Sequence, residues 1–413
     1  MEIKIRRSTL RRIPIILCYA FLFIYRFFGE RYDFFQYRYM ITFLIICYAL
    51  LKYARSNYKQ KYSVELNLTI RFMLPFLCIL AWSFIQMFIC GADINLAFTQ
   101  IYRVLLILGI SFALFVIFGD DAKYMLFDAM IITYTVTVVT GIMSVGFDGL
   151  ITYLLSPTEK TVKDSLARFF EVHDLTFALG LYLIYFILFI KNKKKIDYIR
   201  IIISAIYIYM GYKRVELLAI VLVYFLFLYA RKKQVQFKVK FAIIGLMIGV
   251  VGYVVISSTD ILSSIALTFG INTEGRTDFY SIMSQVMSLS PTYLGRGLGF
   301  VSNYIKSISF GANGTVTTTR MHNDLLMMYI ELGFFPFLIW IYYIIISQTI
   351  YFFRKYGNRC GLLYFVLMLY LVVTYATDNT IYYFMTQSAF CTILITECRN
   401  LKSIDSLQIK SQG

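Results

Sequence analysis

Stretches of about 20 apolar residues recur through almost the whole chain, and nothing else in the sequence constrains the fold as strongly. Roughly 20 residues at about 1.5 Å each cross the hydrocarbon core of a bilayer as one helix. About twelve such runs are present, at 13–29, 39–54, 70–90, 96–118, 124–146, 173–190, 198–212, 215–230, 241–258, 323–352, 361–377 and 379–397. They imply an all-α polytopic membrane protein, with about 12 transmembrane helices in a single transmembrane domain over 1–413. With 59% hydrophobic and only 15% charged residues, the chain cannot coat soluble domains of this size. Intrinsic disorder, a disulfide scaffold and a cytosolic enzyme are excluded on the same ground.

Charge sets the expected orientation. Residues 1–12 carry Lys4, Arg6, Arg7, Arg11 and Arg12, which the positive-inside rule places in the cytoplasm. Alternation then puts further basic runs inside, among them Lys191, Lys193, Lys194 and Lys195, then Arg231, Lys232 and Lys233, then Arg354, Lys355 and Arg359. About 26 of the 40 Lys and Arg fall inside and about 11 outside, so both termini are expected in the cytoplasm. Most of the +17 formal charge is therefore a topology signal, and nucleic acid is not an expected partner. The connection 119–123, Gly-Asp-Asp-Ala-Lys, is acidic where the rule wants basic residues. The basic head before the first run resembles a signal peptide but has no small-x-small cleavage site, so a retained helix is expected. Seven cysteines form no metal or redox spacing and read as small core residues, and no repeat or soluble domain at either end is expected.

Two connections are long: an outer loop at 147–172 and a large outer loop at 259–322, between helices 9 and 10. Loops of this length usually carry function, so part of the active site is expected in the second. It contains helix-like apolar spacing at Phe279, Ile282, Met283, Val286 and Met287. Gly295-Arg296-Gly297-Leu298-Gly299 follows, which lacks the strand and helix of a dinucleotide fingerprint and reads as a tight turn.

Of the two histidines, His173 reads as a solvated helix-end residue. His322 closes the large loop and opens an apolar run. Eleven residues on, Gly333 would return to within about 20° of the same helical face, roughly 16 Å deeper, and admit a close neighbour. Glu331 faces elsewhere, at a depth where a carboxylate is costly unless paired. Outward arginines form a second group: Arg168, Arg214, Arg276, Arg296 and Arg320 are isolated, against the positive-inside bias. Headgroup anchoring by snorkelling is one explanation for Arg168 and Arg296. An anionic ligand is the other, because guanidinium presents a planar fork of donors suited to pyrophosphate oxygens. Arg214 sits in a turn too short to leave the membrane surface, so its ligand belongs at the interface: a lipid-linked sugar pyrophosphate or a phospholipid. No outward Asp-x-Asp pair, Walker loop, metal set or Ser-His-Asp order is visible, and no cofactor is expected.

The arrangement resembles a known group. His322-Asn323 followed by nine residues and Gly333 is similar to the His-Asn-x9-Gly signature of the O-antigen polymerase (Wzy) and O-antigen ligase superfamily, and Glu331-Leu332-Gly333 is typical of it. Arg214-Val215-Glu216-Leu217-Leu218 resembles its Arg-x3-Leu element, and Gly275-Arg276 and the 295–299 glycines its loop segments. The resemblance covers approximately 200–340. It departs from the ligase signature at Pro336, where Gly, Thr or Tyr is usual.

The resemblance implies metal-independent, inverting glycosyl transfer on the outer face of the bacterial cytoplasmic membrane from an undecaprenyl-pyrophosphate-linked oligosaccharide. Arg214 and Arg276 would neutralise the leaving pyrophosphate, and His322 would orient or deprotonate the acceptor hydroxyl. Arg320, Tyr280, Arg168 and Asn323 are secondary candidates for substrate contact, with Gly333 and Glu331 structural. The incomplete ligase signature favours a polymerase of O-antigen or capsule, with a flippase and a chain-length regulator as possible partners. The alternatives are a ligase that transfers finished glycan to lipid A-core, and a lipid-oligosaccharide flippase. The few intramembrane charges, Arg71, Arg103, Asp128 and Glu331, and the absence of a half-repeat weigh against the flippase.

Overall fold

The computed structural model describes residues 16, 20, 35–55, 61–155, 171–211, 213–231, 234–259, 261–268, 276–311 and 321–411. The elements among these residues are helical, in the order α1 (Phe35–Ala54), α2 (Ser63–Cys90), α3 (Ile94–Phe118), α4 (Ala122–Leu155), α5 (His173–Leu188), α6 (Lys195–Met210), α7 (Arg214–Ala230) and α8 (Val235–Ser257). There follow α9 (Ile261–Thr268), α10 (Arg276–Ser284), α11 (Phe300–Gly311), α12 (Asp324–Leu332), α13 (Phe334–Ile341), a π-helical turn (Tyr342–Ser347), α14 (Gln348–Tyr375) and α15 (Phe384–Ser411). Among the described residues, four helical stretches are long and apolar enough to cross a membrane: Ser63–Cys90, Ile94–Ser144, Val235–Ser257 and Phe334–Tyr375. This agrees with an α-helical polytopic membrane protein.

The chain divides into two compact units. The first comprises 1–70, 106–220 and 384–413. Its centre is α5, buried continuously from Asp174 to Phe186. A helix apolar on every face is stable only when enclosed, and α5 packs against α6 and α15. Phe127 meets Tyr182 and Phe186 edge-on, with both pairs of ring centroids 5.2 Å apart. Several charges buried in this unit have polar partners. Lys123 donates to the Tyr185 hydroxyl at 2.8 Å, and that hydroxyl donates to Glu397 at 3.2 Å. Arg399 bridges Asp120 at 2.9 Å and the buried Glu65. Arg399 thus supplies the countercharge for the acidic 119–123 connection and joins three segments that the charge reading puts on one side.

The second unit comprises 71–105 and 221–383. Along α8 the large apolar side chains Phe237, Phe241, Ile244 and Ile248 are exposed, a surface suited to acyl chains and not to water. The unit's interior is supplied by α12 and by the second half of α14, where Cys360 to Val372 are buried. Two expected spans differ in detail. The run 323–352 is broken at Gly333, whose φ of 85° ends α12 before α13 begins. The basic 353–360 segment lies within α14, where Gly357 interrupts the helical geometry at φ 78°. Cys78 and Cys90 are exposed along α2, while Cys360, Cys391 and Cys398 are the small core residues that the sequence suggests.

Candidate active site

The site is built around α12 in the second unit. A nine-residue helix is too short to hold itself together, so its end groups must find partners elsewhere. At its C-terminal end they do so completely. The Ile330 carbonyl accepts from Arg296 N at 2.9 Å and from the Tyr293 hydroxyl at 2.8 Å. The Glu331 carbonyl accepts from Gly297 N at 3.0 Å and Gln86 Nε2 at 2.8 Å, and the Leu332 carbonyl from Trp82 Nε1 at 2.9 Å. The glycine cluster makes this possible. A Cβ on Gly295 would lie 2.5 Å from the Glu331 carbonyl oxygen, and one on Gly333 would lie 2.3 Å from the Leu294 carbonyl carbon. Both residues also hold left-handed φ, at 84° and 85°. The expected close approach at Gly333 is present, but a loop backbone makes it in place of a neighbouring helix.

Glu331 is fully buried and accepts from Val301 N at 3.1 Å, which ties the start of α11 to α12. Backbone donation to Oε1 offsets part of the cost of burial, while Oε2 has no hydrogen-bond partner.

The N-terminal end holds His322, the candidate base. Asn323 caps α12, its side-chain oxygen accepting from Leu326 N at 3.0 Å. Asn323 is fully buried, with its oxygen used in the cap and its Nδ2 without a hydrogen-bond partner. Asp324 accepts from Ile381 N at 2.7 Å and so anchors the same helix to the connection between α14 and α15. His322, immediately before the cap, adopts φ 51°, a conformation unusual for a side chain of its size. About a quarter of its side chain remains exposed.

His322 has a partner that the sequence reading passed over. Asp378 Oδ1 lies 3.3 Å from His322 Nδ1, and the Asp378 side chain is only 5% exposed. The same oxygen accepts from Asn379 N at 2.8 Å and from the Tyr383 hydroxyl at 2.7 Å, so the carboxylate is held from three sides. An ionised carboxylate can only accept, so the contact puts the imidazole proton on Nδ1 and leaves Nε2 as the basic nitrogen. The Asn379 amide is also 3.3 Å from Nδ1, and with that tautomer its oxygen is the atom that suits the contact. A histidine oriented by a buried carboxylate is a general-base arrangement. Its signal in the sequence was a single acidic residue, Asp378, between two apolar runs.

The other expected residues are distributed as follows. Arg214 is the exposed first residue of α7, in the first unit. A cation at a helix N-terminus opposes the helix dipole, and both attract anions. The preceding turn is fixed by Gly211, where a Cβ would meet Thr176 Cγ2 at 2.2 Å. Arg276 opens α10, and its side chain is outside the described part. Arg168 and Arg320 lie outside the described residues. Tyr280 is 5% exposed and packs inward from α10, which leaves little of it for a ligand. Arg296 is partly occupied, donating from Nε to the Val286 carbonyl at 2.8 Å. His173 begins α5, with Nε2 3.7 Å from Glu171.

His322, Arg214, Arg276, Glu331 and Gly333 share one stretch of chain, and that stretch has a known counterpart. Residues 199–341 match the O-antigen ligase family. The match supports the O-antigen polymerase and ligase superfamily and a glycosyltransferase-type activity, in keeping with the resemblance seen in the sequence. Arg168 and Asp378 fall outside the matched segment. No curated protein matches the chain.

Proposed function

We propose that the protein is a polysaccharide polymerase. It transfers a growing glycan from undecaprenyl pyrophosphate onto the hydroxyl of a lipid-linked repeat unit at the outer face of the cytoplasmic membrane. The observation that carries the proposal is the His322–Asp378 contact at the entrance to α12, with His322 inside the segment that matches the O-antigen ligase family.

In the proposed step, His322 Nε2 takes the proton of the acceptor hydroxyl as its oxygen attacks the anomeric carbon of the donor. The bond from that carbon to the pyrophosphate oxygen breaks, the configuration inverts, and undecaprenyl pyrophosphate leaves. Arg214 and Arg276 neutralise the charge that develops on the leaving group. His322 begins the reaction neutral and ends it protonated, and Asp378 stabilises the imidazolium.

The test is substitution in cells. His322→Ala, Arg214→Ala and Arg276→Ala are each expected to abolish long-chain polysaccharide while the protein stays in the membrane. Normal chain-length ladders in all three would sink the proposal. The second reading, an O-antigen ligase, is favoured by the description of the matching family. The two part in the product that accumulates. Loss of a polymerase leaves single repeat units on the final acceptor, and loss of a ligase leaves long chains on undecaprenyl pyrophosphate.

A further inference from the structure

A cavity of about 720 Å³ opens in the second unit, beside the π-helical turn and the start of α14, and the transfer reaction makes no use of it. Arg71, Arg354 and Lys355 all line it, together with Tyr342, Ser347 and Tyr351. Among the described residues, none of these three cations has a carboxylate within ion-pair distance. Three uncompensated positive charges around one concavity make a local field that favours an anion.

The positive-inside rule explains why Arg354 and Lys355 are basic, but it does not explain the way Arg71 is held. Arg71 lies several residues inside the apolar helix α2, where a free guanidinium is costly. Its guanidinium is 3.5 Å from the centre of the Tyr351 ring, and its Nε donates to Gln348 Oε1 at 2.7 Å. Gln348 is itself only 2% exposed. Lys355 Nζ donates to the Tyr351 hydroxyl at 3.0 Å. Tyr351 therefore fixes one cation on its ring and another at its tip. The Nε bond turns one edge of the Arg71 fork to Gln348 and leaves the Nη groups for an acceptor. A snorkelling side chain is mobile, whereas this one is preorganised.

The surroundings identify the source of the anion. Tyr342 and Ile350 line the same cavity and are 53% and 37% exposed, on a helical stretch apolar enough to sit in a bilayer. An ion free in water gains nothing from such neighbours, whereas a lipid phosphate brings acyl chains to cover them. The π-helical turn just before the site is a further departure from regular helix, of the kind that recurs where helices bind ligands. We propose that this cavity is a headgroup site for an anionic phospholipid. In it the Arg71 guanidinium and the Arg354 and Lys355 side chains hold the phosphate, and Tyr342 and Ile350 meet the first part of the acyl chains. The charge reading of the sequence places the site in the cytoplasmic leaflet, where anionic lipids are supplied.

The experiment uses the full chain, purified in detergent with mixed phosphatidylglycerol and phosphatidylcholine, and counts retained lipids by native mass spectrometry. The wild-type protein is expected to retain phosphatidylglycerol in preference to phosphatidylcholine, and excess inorganic phosphate is expected not to displace it. The exposed pair Arg354→Gln with Lys355→Gln should weaken that retention by roughly fivefold for each cation removed, with an unchanged unfolding temperature. Arg71→Gln should weaken it at least as much. Lys191→Gln with Lys195→Gln, which removes two exposed lysines elsewhere, should leave it unchanged. The proposal is overturned if the Arg354 and Lys355 pair retains lipid like the wild type, or if the Lys191 and Lys195 pair loses as much. Equal retention of the two lipids, or displacement by phosphate, overturns it equally.

Discussion

Asp378→Asn separates the charge of the carboxylate from its shape. Asp378 Oδ1 receives three contacts, from His322 Nδ1, Asn379 N and the Tyr383 hydroxyl. An asparagine can present its amide oxygen at the same point and keep all three, so the turn between α14 and α15 should survive. What it loses is the negative charge opposite the imidazolium that forms when His322 takes the acceptor proton. A hydrogen bond to a charged group contributes about 1.5–3 kcal/mol. The 3.3 Å separation is longer than the ~2.7–2.9 Å of a strong charge-assisted bond, which places this one at the lower end. A loss of about 1.5 kcal/mol from the transition state is roughly tenfold in rate. Asp378→Ala is the less informative change. It strands the buried Asn379 N–H and Tyr383 hydroxyl at about 1–3 kcal/mol each, besides the His322 contact, so lost folding and lost catalysis become mixed. The assay follows polymer formation in membrane vesicles supplied with lipid-linked repeat units, at matched protein levels. The expected result for Asp378→Asn is a maximal rate about tenfold lower with little change in the substrate concentration needed. If Asp378→Asn runs at the wild-type rate while His322→Ala is inactive, the carboxylate does not assist His322 and the reasoning is refuted.

Three further changes probe the frame that holds the site. Gly333→Ala should cost about 2–4 kcal/mol, because its Cβ would meet the Leu294 backbone at 2.3 Å in a φ that alanine resists; thermal unfolding in detergent measures it. Asn323→Ala removes the cap of α12 and should cost about 1 kcal/mol, whereas Asn323→Asp keeps an accepting oxygen and should retain most of that stability. Activity falling alongside stability in Asn323→Ala but not in Asn323→Asp would connect the cap to the placement of His322. Arg399→Gln strands the buried Glu65 and should destabilise the protein by about 3–5 kcal/mol without a specific effect on transfer in the protein that remains folded.

The sequence alone determined what depends on local pattern and solvent. Helix formation in apolar runs follows from bilayer thickness and from the need to satisfy every backbone group within the segment, so the all-helical class could be read from hydropathy. His322 was identifiable for a similar reason: it is one of only two histidines and stands where a long polar connection meets an apolar run. The contacts of Gly333 and Glu331 were not legible, because neither the loop backbone of 293–297 nor the start of α11 is a neighbour in sequence. The break of the 323–352 run at Gly333 escaped hydropathy, since a change of φ does not alter the apolar character of the residues around it.

Asp378 marks where the sequence stopped. It is 56 residues from His322, and as one acidic residue between two runs it carries no periodicity and no motif. Only packing of the α14–α15 connection against the entrance of α12, through Asp324 and Ile381, brings its carboxylate to the imidazole. The same holds for Arg71, which as one intramembrane charge is ambiguous until Tyr351 and Gln348 are seen to hold it. Solvent preference is a property of each segment and survives in the sequence. The pairing of charges belongs to distances between segments, and tertiary structure alone sets those.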